Sequence, residues 1–300
     1  MAIFNWVYKG ERVCCLWVEI EEARAGLIGS ATKNWMVQIL GCNPGLTTGP
    51  GTNTYLLAGD APILIDTGAG VPAYETAFRS ALAECGLNRL EAVLVTHGHR
   101  DHVGGVDQIR RIFPEARVRK MSRPAAEPLR AFEPLRDGER VMANGLTIEA
   151  IFTPGHAIDH LCYYLEDDRI LFSGDLILGT GTTVIPVDGG DMAAYLASLR
   201  RLLELDIREI YPGHGPVIDR PREYILAYIR HREIREEQIL ALLRQGVRDV
   251  PTMVKRIYAD VPQAVHGLAQ QSVLSHLIKL EREEVVTREE EAGVSLFKVR

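Results

Sequence analysis

Long apolar runs are missing from this 300-residue chain. None approaches the ~20 residues that span a bilayer, so no membrane partner is expected. The first residues, Met1-Ala2-Ile3-Phe4-Asn5-Trp6, lack the basic start and long apolar stretch of a signal peptide. Nor do they form an Arg-rich amphipathic transit segment, and a cytoplasmic location is the default expectation. Cysteine is scarce: the five, at 14, 15, 42, 85 and 162, are odd in number and form no C-x-x-C pair. Cys14-Cys15 could coordinate metal or sense oxidants; the commoner role of such residues is as small apolar fillers in a reducing compartment. Excess positive charge is lacking too. Lys and Arg total 34 against 40 Asp and Glu, a net of −6, which counts against broad electrostatic capture of nucleic acid.

What is present is ordinary in bulk. Apolar residues make up 46% and charged residues 25%, enough for one large domain and a small one around buried cores. Charge is unevenly spread. Residues 226–300 hold 12 Lys and Arg against 11 Asp and Glu. Gln108 to Arg130 carries Arg110, Arg111, Arg117, Arg119, Lys120, Arg123 and Arg130 against Glu115 and Glu127. A run of this kind is most often a solvated face; the sharper reading is a path for phosphates.

One stretch departs from the ordinary: Thr96-His97-Gly98-His99-Arg100-Asp101-His102. Four side chains able to hold a divalent metal fall within six positions. The apolar run Glu91 to Val95 before it reads as a buried strand, and Val106 to Ile112 after it as a helix. The motif therefore sits on a strand-to-helix turn. Alternation along an extended segment puts His97 and His99 on one side, with Asp101 and His102 following as the chain turns. Imidazoles with a carboxylate suit zinc, and also iron or manganese. Later segments repeat the pattern of an apolar strand ending in a glycine turn with one ligand-type residue. These are Thr153-Pro154-Gly155-His156, Ser173-Gly174-Asp175 and Tyr211-Pro212-Gly213-His214.

This set, in this order, resembles the metallo-beta-lactamase superfamily. Leu40 to Gly45, Gly51 to Leu56, Gly179-Thr180-Gly181-Thr182-Thr183 and His231-Arg232-Glu233-Ile234-Arg235-Glu236 are further similar to its beta-lactamase-like-protein-2 group. The likeness runs over roughly residues 36 to 290. It implies an α/β (α+β) fold, a four-layered αββα sandwich, with a dinuclear site on one edge. Position by position, it implies that His97, His99 and His156 hold a first metal. Asp101, His102 and His214 would hold a second, with Asp175 bridging. Asp66, in Ile63-Leu64-Ile65-Asp66-Thr67-Gly68, matches the aspartate that supports the metal loop from behind. The implied cofactor is two Zn2+, with Fe or Mn as alternatives.

Along the rest of the chain, residues 1–35 read as an extra strand or two. Strands follow at 37–40, 54–58 and 62–66, a helix at 72–85, and strands at 116–121, 162–166 and 169–172. A hairpin is expected over 138–152, and a helix from Asp191 through Leu205. Loop 41–52, beside Asp66, is a candidate substrate loop or a plain connection. After Pro221 the composition shifts to long helices at 223–245 and 263–283 with a short one at 251–258. A hairpin then runs from 285 to 299 around a polar turn at 289–293. We therefore expect a catalytic domain over 1–222, then a linking helix and winged-helix domain over 223–300. The winged helix would bind nucleic acid, or serve a structural or dimerising role that makes a homodimer.

Function divides by substrate. The group resemblance implies a metal-dependent phosphodiesterase or endoribonuclease acting on single-stranded RNA, with Asp101 as catalytic proton handler. The alternative is a thioesterase of the glyoxalase-II type acting on small esters or thioesters. A non-enzymatic nucleic-acid-binding scaffold with structural metals is a third. Cysteine often stands at the Asp175 position in two-zinc lactamases of this superfamily, which counts against antibiotic hydrolysis. Asn53, His160, Thr182 and Lys279 are candidate substrate contacts. For His160 a hydrogen-bonded interior histidine is the bland alternative.

Overall fold

The computed structural model describes residues 18–19, 35–122, 132–260, 262–291 and 293–300. By compactness the chain divides into two units, one of 1–152, 159–181 and 207–219, the other of 153–158, 182–206 and 220–300. Each is described by itself.

The first unit is built on two sheets. Seven strands pair in chain order: β1 (Val18–Glu19), β2 (Trp35–Leu40), β3 (Asn53–Ala58), β4 (Ile63–Ile65), β5 (Ala92–Leu94), β6 (Arg117–Met121) and β7 (Glu133–Leu135). Pairing is antiparallel as far as β4 and parallel from β4 to β7. The second sheet holds β8 (Arg140–Ala143), β9 (Leu146–Phe152), β10 (Leu161–Leu165), β11 (Ile170–Gly174) and β12 (Glu209–Pro212). Its strands run antiparallel except that β11 and β12 are parallel.

Period-two alternation decides which core each side chain enters. Tyr55 and Leu57 of β3, Ile63 and Ile65 of β4, and Ala92 and Leu94 of β5 pack against Ile148, Tyr163, Phe172 and Tyr211 of the other sheet. The intervening Leu56, Leu64 and Val93 form a cross-strand row on the opposite face. That row is covered by α1 (Pro72–Glu84), through Tyr74, Phe78 and Ala81, and by α3 (Val106–Ile112), through Val106 and Ile109. Because β4 and β5 are buried on both faces, they read in sequence as continuous apolar runs. Asn144-Gly145, both at positive φ, close the β8–β9 hairpin as expected of this dipeptide.

The second unit contains α4 (Met192–Leu202), α5 (Pro221–Arg244), α6 (Val250–Ile257), α7 (His266–Arg282) and a hairpin of β13 (Val286–Glu291) and β14 (Val294–Val299). Asp191 caps α4 by accepting from the Ala194 N–H at 2.9 Å, and Asp249 caps α6 through Thr252 at 2.8 Å. The stripe Val273, Leu277 and Leu280 packs with Leu242, Leu243, Met253, Val286 and Phe297, the winged-helix layout.

Sequence and structure differ in places. The hairpin strands continue through Glu289–Glu291, where a polar turn was expected. Carboxylates of this stretch are held across the ribbon by Arg248 and Lys298, which stabilises strand where composition suggested a loop. Of the expected N-terminal strands, β1 is present; Cys14, Cys15, Glu21 and Glu22 lie outside the described residues. Cys162 is free and buried and Cys85 is free, as fillers would be, whereas Cys42 is disulfide-bonded. Among the described residues no helix is long and apolar enough to cross a membrane.

Candidate metal centre

The strand ends of the first unit deliver the expected residues. β4 leads to Asp66, β5 to His97 and His99, β11 to Asp175 and β12 to His214. The turn after β5 stays extended through His99 and then enters the single turn α2 (Arg100–Val103), which carries Asp101 and His102. Two glycines make room for this convergence. A Cβ on Gly174 would meet His160 Nε2 at 2.7 Å and Thr96 Cβ at 2.9 Å. One on Gly213 would meet Asp175 Oδ1 at 2.6 Å and a His102 ring carbon at 2.8 Å.

His97 Nε2 and His99 Nδ1 face each other at 2.9 Å, and each of these residues and Asp175 offers a ligand atom within 4.8 Å of the others. Asp101, His102 and His214 form a second group of the same tightness. Asp175 reaches this group as well, its Oδ1 lying 3.3 Å from both His102 Nε2 and His214 Nε2. Asp101 Oδ2 is 3.2 Å from His214 Nε2 and 3.5 Å from His102 Nε2. Asp175 is thus common to both groups, as a bridging carboxylate has to be.

Supports behind these atoms are buried and specific. Asp66 Oδ1 accepts the Thr96 N–H at 2.8 Å, and Oδ2 lies 2.7 Å from His102 Nδ1. With Nδ1–H donated to Asp66, His102 presents its Nε2 lone pair to Asp101 and Asp175. That Nε2 is fully buried and has no hydrogen-bond partner. An orphaned imidazole nitrogen among carboxylates is a donor set suited to a cation, and imidazole with carboxylate matches zinc, iron or manganese. Thr52 Oγ1 donates to Asp101 Oδ2 at 3.0 Å, and Asn43 in turn fixes Thr52 through both amide atoms.

The charges are coupled. Burial pushes the Asp101 carboxyl up, but the His102 and His214 imidazoles pull it further down, below the usual carboxylate range. Burial acts on Asp175 in the same way, and His214 and His102 overcome it and drive the carboxyl well down. Burial lowers His214, but Asp175 and Asp101 outweigh it and raise the ring to about 9. His102 is completely buried, which disfavours its charge, yet Asp175, Asp66 and Asp101 together raise it.

The remaining expected residues sit as follows. His156 lies on the 153–158 segment of the second unit, its Nδ1 2.8 Å from the Val184 carbonyl oxygen. His160 is fully buried, and its Nε2 accepts the backbone N–H of Asp175 at 3.1 Å, the position of an interior support. Asn53 is buried and gives both amide hydrogens to the Pro212 and Gly215 carbonyls, each at 2.9 Å, clamping the turn that carries His214. Thr182 is half-buried in the second unit. Lys279 is engaged by Glu236 at 2.9 Å and Glu283 at 2.8 Å.

The basic run also changes character. Lys120 is fully buried against Asp159 at 2.5 Å, and Arg119 pairs with Glu133 and Glu139. Arg123 and Arg130 lie outside the described residues. Thr52, Asn53 and Asn43 escaped notice as supports of the centre because nothing local in Gly51 to Leu56 marks bonds to residues so distant in the chain.

Comparison with known proteins agrees with this geometry. Residues 47–214 match the profile of the metallo-beta-lactamase superfamily, and residues 250–293 that of the beta-lactamase associated winged helix domain. The chain is 41% identical to a beta-lactamase-like protein 2 homolog of Caenorhabditis elegans, over 84% of this chain and 85% of that protein. It is 38% identical to an atrochrysone carboxyl ACP thioesterase of Aspergillus fumigatus, over 73% and 68%. A metallo-beta-lactamase family protein from Thermus thermophilus superposes with a TM-score of 0.72 at 26% identity, covering 83% of this chain and 94% of that one.

Proposed function

Since this chain belongs to the metallo-beta-lactamase superfamily, we propose that its histidine and aspartate centre holds two zinc ions and hydrolyses a phosphodiester in single-stranded RNA. The observation that carries the hydrolase reading is Asp175, shared by two groups of nitrogen and carboxylate donors. His97, His99 and Asp175, with His156 as the resemblance implies, are the ligands we assign to one ion. Asp101, His102, His214 and Asp175 are those of the other. Two such ions supply Lewis-acid polarisation of the bond to be cut and an acidified water.

The chain's own residues do the rest. Asp66 holds His102 in the tautomer whose Nε2 faces the carboxylates. Thr52 keeps Asp101 Oδ2 in place, so that this carboxylate orients the attacking water and accepts its proton. Asn53 fixes the turn carrying His214, and His160 fixes the backbone of Asp175. These supports hold the constellation before substrate arrives, which is where positional catalysis originates.

RNA is favoured as substrate by what the resemblance to the beta-lactamase-like-protein-2 group implies, and a 41% identical relative carries that group's name. A second reading, a thioesterase, has a specific observation behind it. Three cations of the tail are spent on carboxylates: Lys279 on Glu236 and Glu283, Arg282 on Asp191, Arg288 on Glu281. These three are not free to hold a polymer, and the Aspergillus relative carries a thioesterase name. Zinc-loaded protein given labelled single-stranded RNA and an acyl-thioester side by side tests both. Cleavage of RNA with an affinity that falls by about 0.7 log units per log unit of salt for each phosphate neutralised supports the first. Thioester turnover without RNA cleavage replaces it with the second. Wild-type protein that folds but takes up no first-row metal removes both.

A further inference from the structure

Arg232 has no part in the chemistry described so far, yet it is only 2% exposed. A guanidinium so deep is costly unless its donors and charge are used. No carboxylate among the described residues pairs with it. Its helical neighbour Glu236 is taken by Lys279 and by His276. The Arg232 guanidinium instead lies over the Tyr195 ring, 5.2 Å from the centroid, and an Nη donates to the carbonyl of Thr183.

That carbonyl belongs to a segment without regular secondary structure, residues 182–191. The carbonyl of the next residue, Val184, is the one that stands 2.8 Å from His156 Nδ1. The turn bearing His156 is tied on its other side to α4: Ser198 Oγ donates to the Pro154 carbonyl at 2.7 Å, and the Asp191 N–H donates to the Gly155 carbonyl at 2.8 Å. Gly155 packs so closely on α4 that a Cβ there would lie 2.3 Å from Tyr195 Cα. Tyr195, whose ring Arg232 covers, is therefore also the residue on which this turn rests.

We propose that Arg232 is a positioning residue for His156. By holding the Thr183 carbonyl, it fixes the Thr183–Val184 peptide so that Val184 accepts Nδ1–H and His156 keeps its Nε2 lone pair for a metal. The inference rests on the reading of His156 as a ligand. Partners of this kind orient ligand imidazoles, and their loss typically lowers metal affinity about 10–100-fold. Arg232 acts one peptide further out, so the lower end of that range is expected.

The test is a zinc titration against a chromophoric chelator on five full-length proteins: wild type, Arg232→Met, His156→Ala, the double variant, and Arg232→Lys as the conservative replacement. Arg232→Met should weaken one of two zinc ions by about 10-fold and leave the other unchanged. Lysine should restore part of the loss. In the His156→Ala background the Arg232 change should cost nothing more, because residues acting through one another are not additive. Equal weakening of both ions, or a further loss of about 10-fold in that background, would overturn the proposal. If the methionine variant fails to fold by far-UV circular dichroism, the lysine variant carries the same cycle. A His156→Ala protein that keeps both ions at full affinity overturns the ligand reading itself, and the Arg232 role with it.

Discussion

Asp66 Oδ2 and His102 Nδ1 lie 2.7 Å apart, with both side chains shut away from solvent. Asp66 reaches this position from a left-handed backbone, φ +59°, unusual for a residue with a Cβ. It also takes the backbone N–H of Thr96, so one carboxylate ties the strand end to the helical turn. Asp66→Asn keeps the shape but places an amide NH2 or a weaker acceptor at His102. The ring then tends to the tautomer with Nε2–H directed at the metal. Zinc affinity of one ion should fall about 10–100-fold with the fold retained. Unchanged affinity by chelator competition would show that Asp66 serves the backbone alone.

Asp101 differs from the other carboxylates in being both partly open to solvent and steadied by Thr52. Asp101→Asn should lower hydrolysis by about 10²–10⁴-fold, the range for a positioned acid or base. Thr52→Val, which removes only the steadying bond, should cost far less. Initial rates on whichever substrate is turned over check this. Near-normal turnover in Asp101→Asn would place the proton acceptor elsewhere.

His97 faces His99 across 2.9 Å, a contact two imidazoles make readily only with a proton or a cation between them. His97→Ala should lose about one of two zinc equivalents. Elemental analysis of the folded variant decides it, and two full equivalents would remove His97 from the ligand set.

His231 gives a pH signature in the second unit. Burial, then the charges of Arg232 and Arg235, depress it from 6.5 to about 3. The unfolded chain binds a proton at this ring below 6.5, whereas the folded one does not until about 3. Stability therefore stands complete above 6.5 and is lost as pH falls toward 3. Melting temperatures of His231→Gln should decline less steeply than wild type over that interval. Parallel declines would mean the ring contributes nothing to acid sensitivity.

Lys279 tests how the tail's charges are used. Its ammonium is largely buried beside Glu236, and Lys279→Ala should destabilise the protein by about 1 kcal/mol, leaving Glu236 with His276 alone. Thioester or RNA turnover should stay the same. A loss confined to RNA, with the melting temperature unchanged, would return Lys279 to the substrate contacts.

The residues legible beforehand were those whose chemistry is local. Three histidines and an aspartate in six positions announce a metal loop without help from the rest of the chain. The hairpin expected over 138–152 is there as β8 and β9, and the spacing of Val273, Leu277 and Leu280 announces a packed helix face. What escaped was held together by distance. The partners of Asn53 are some 160 residues further along the chain, and no pattern around it reveals that its amide is spent on Pro212 and Gly215. Lys120 read as part of a basic run because burial against Asp159 is a property of the fold. Lys279 read as a substrate contact because the carboxylate of Glu236 that holds it comes from another helix.

The glycines at 174 and 213 carry a consequence for how this scaffold can change. Their missing side chains form the floor beneath His102, Asp175 and His160, and a methyl group at either position would displace those side chains. β12 is the edge strand of its sheet and pairs in parallel with β11, so shifting one disturbs the register of both. New substrate preferences cannot be written into that floor. They have to be written into the rim, where loop 41–52 already exposes Leu46 to solvent at 68%. Libraries that vary residues 44–47 of this loop, sparing Asn43, Thr52 and the two glycines, should yield folded, metal-competent variants with altered selectivity. Libraries aimed at the strand ends should chiefly yield unfolded chains.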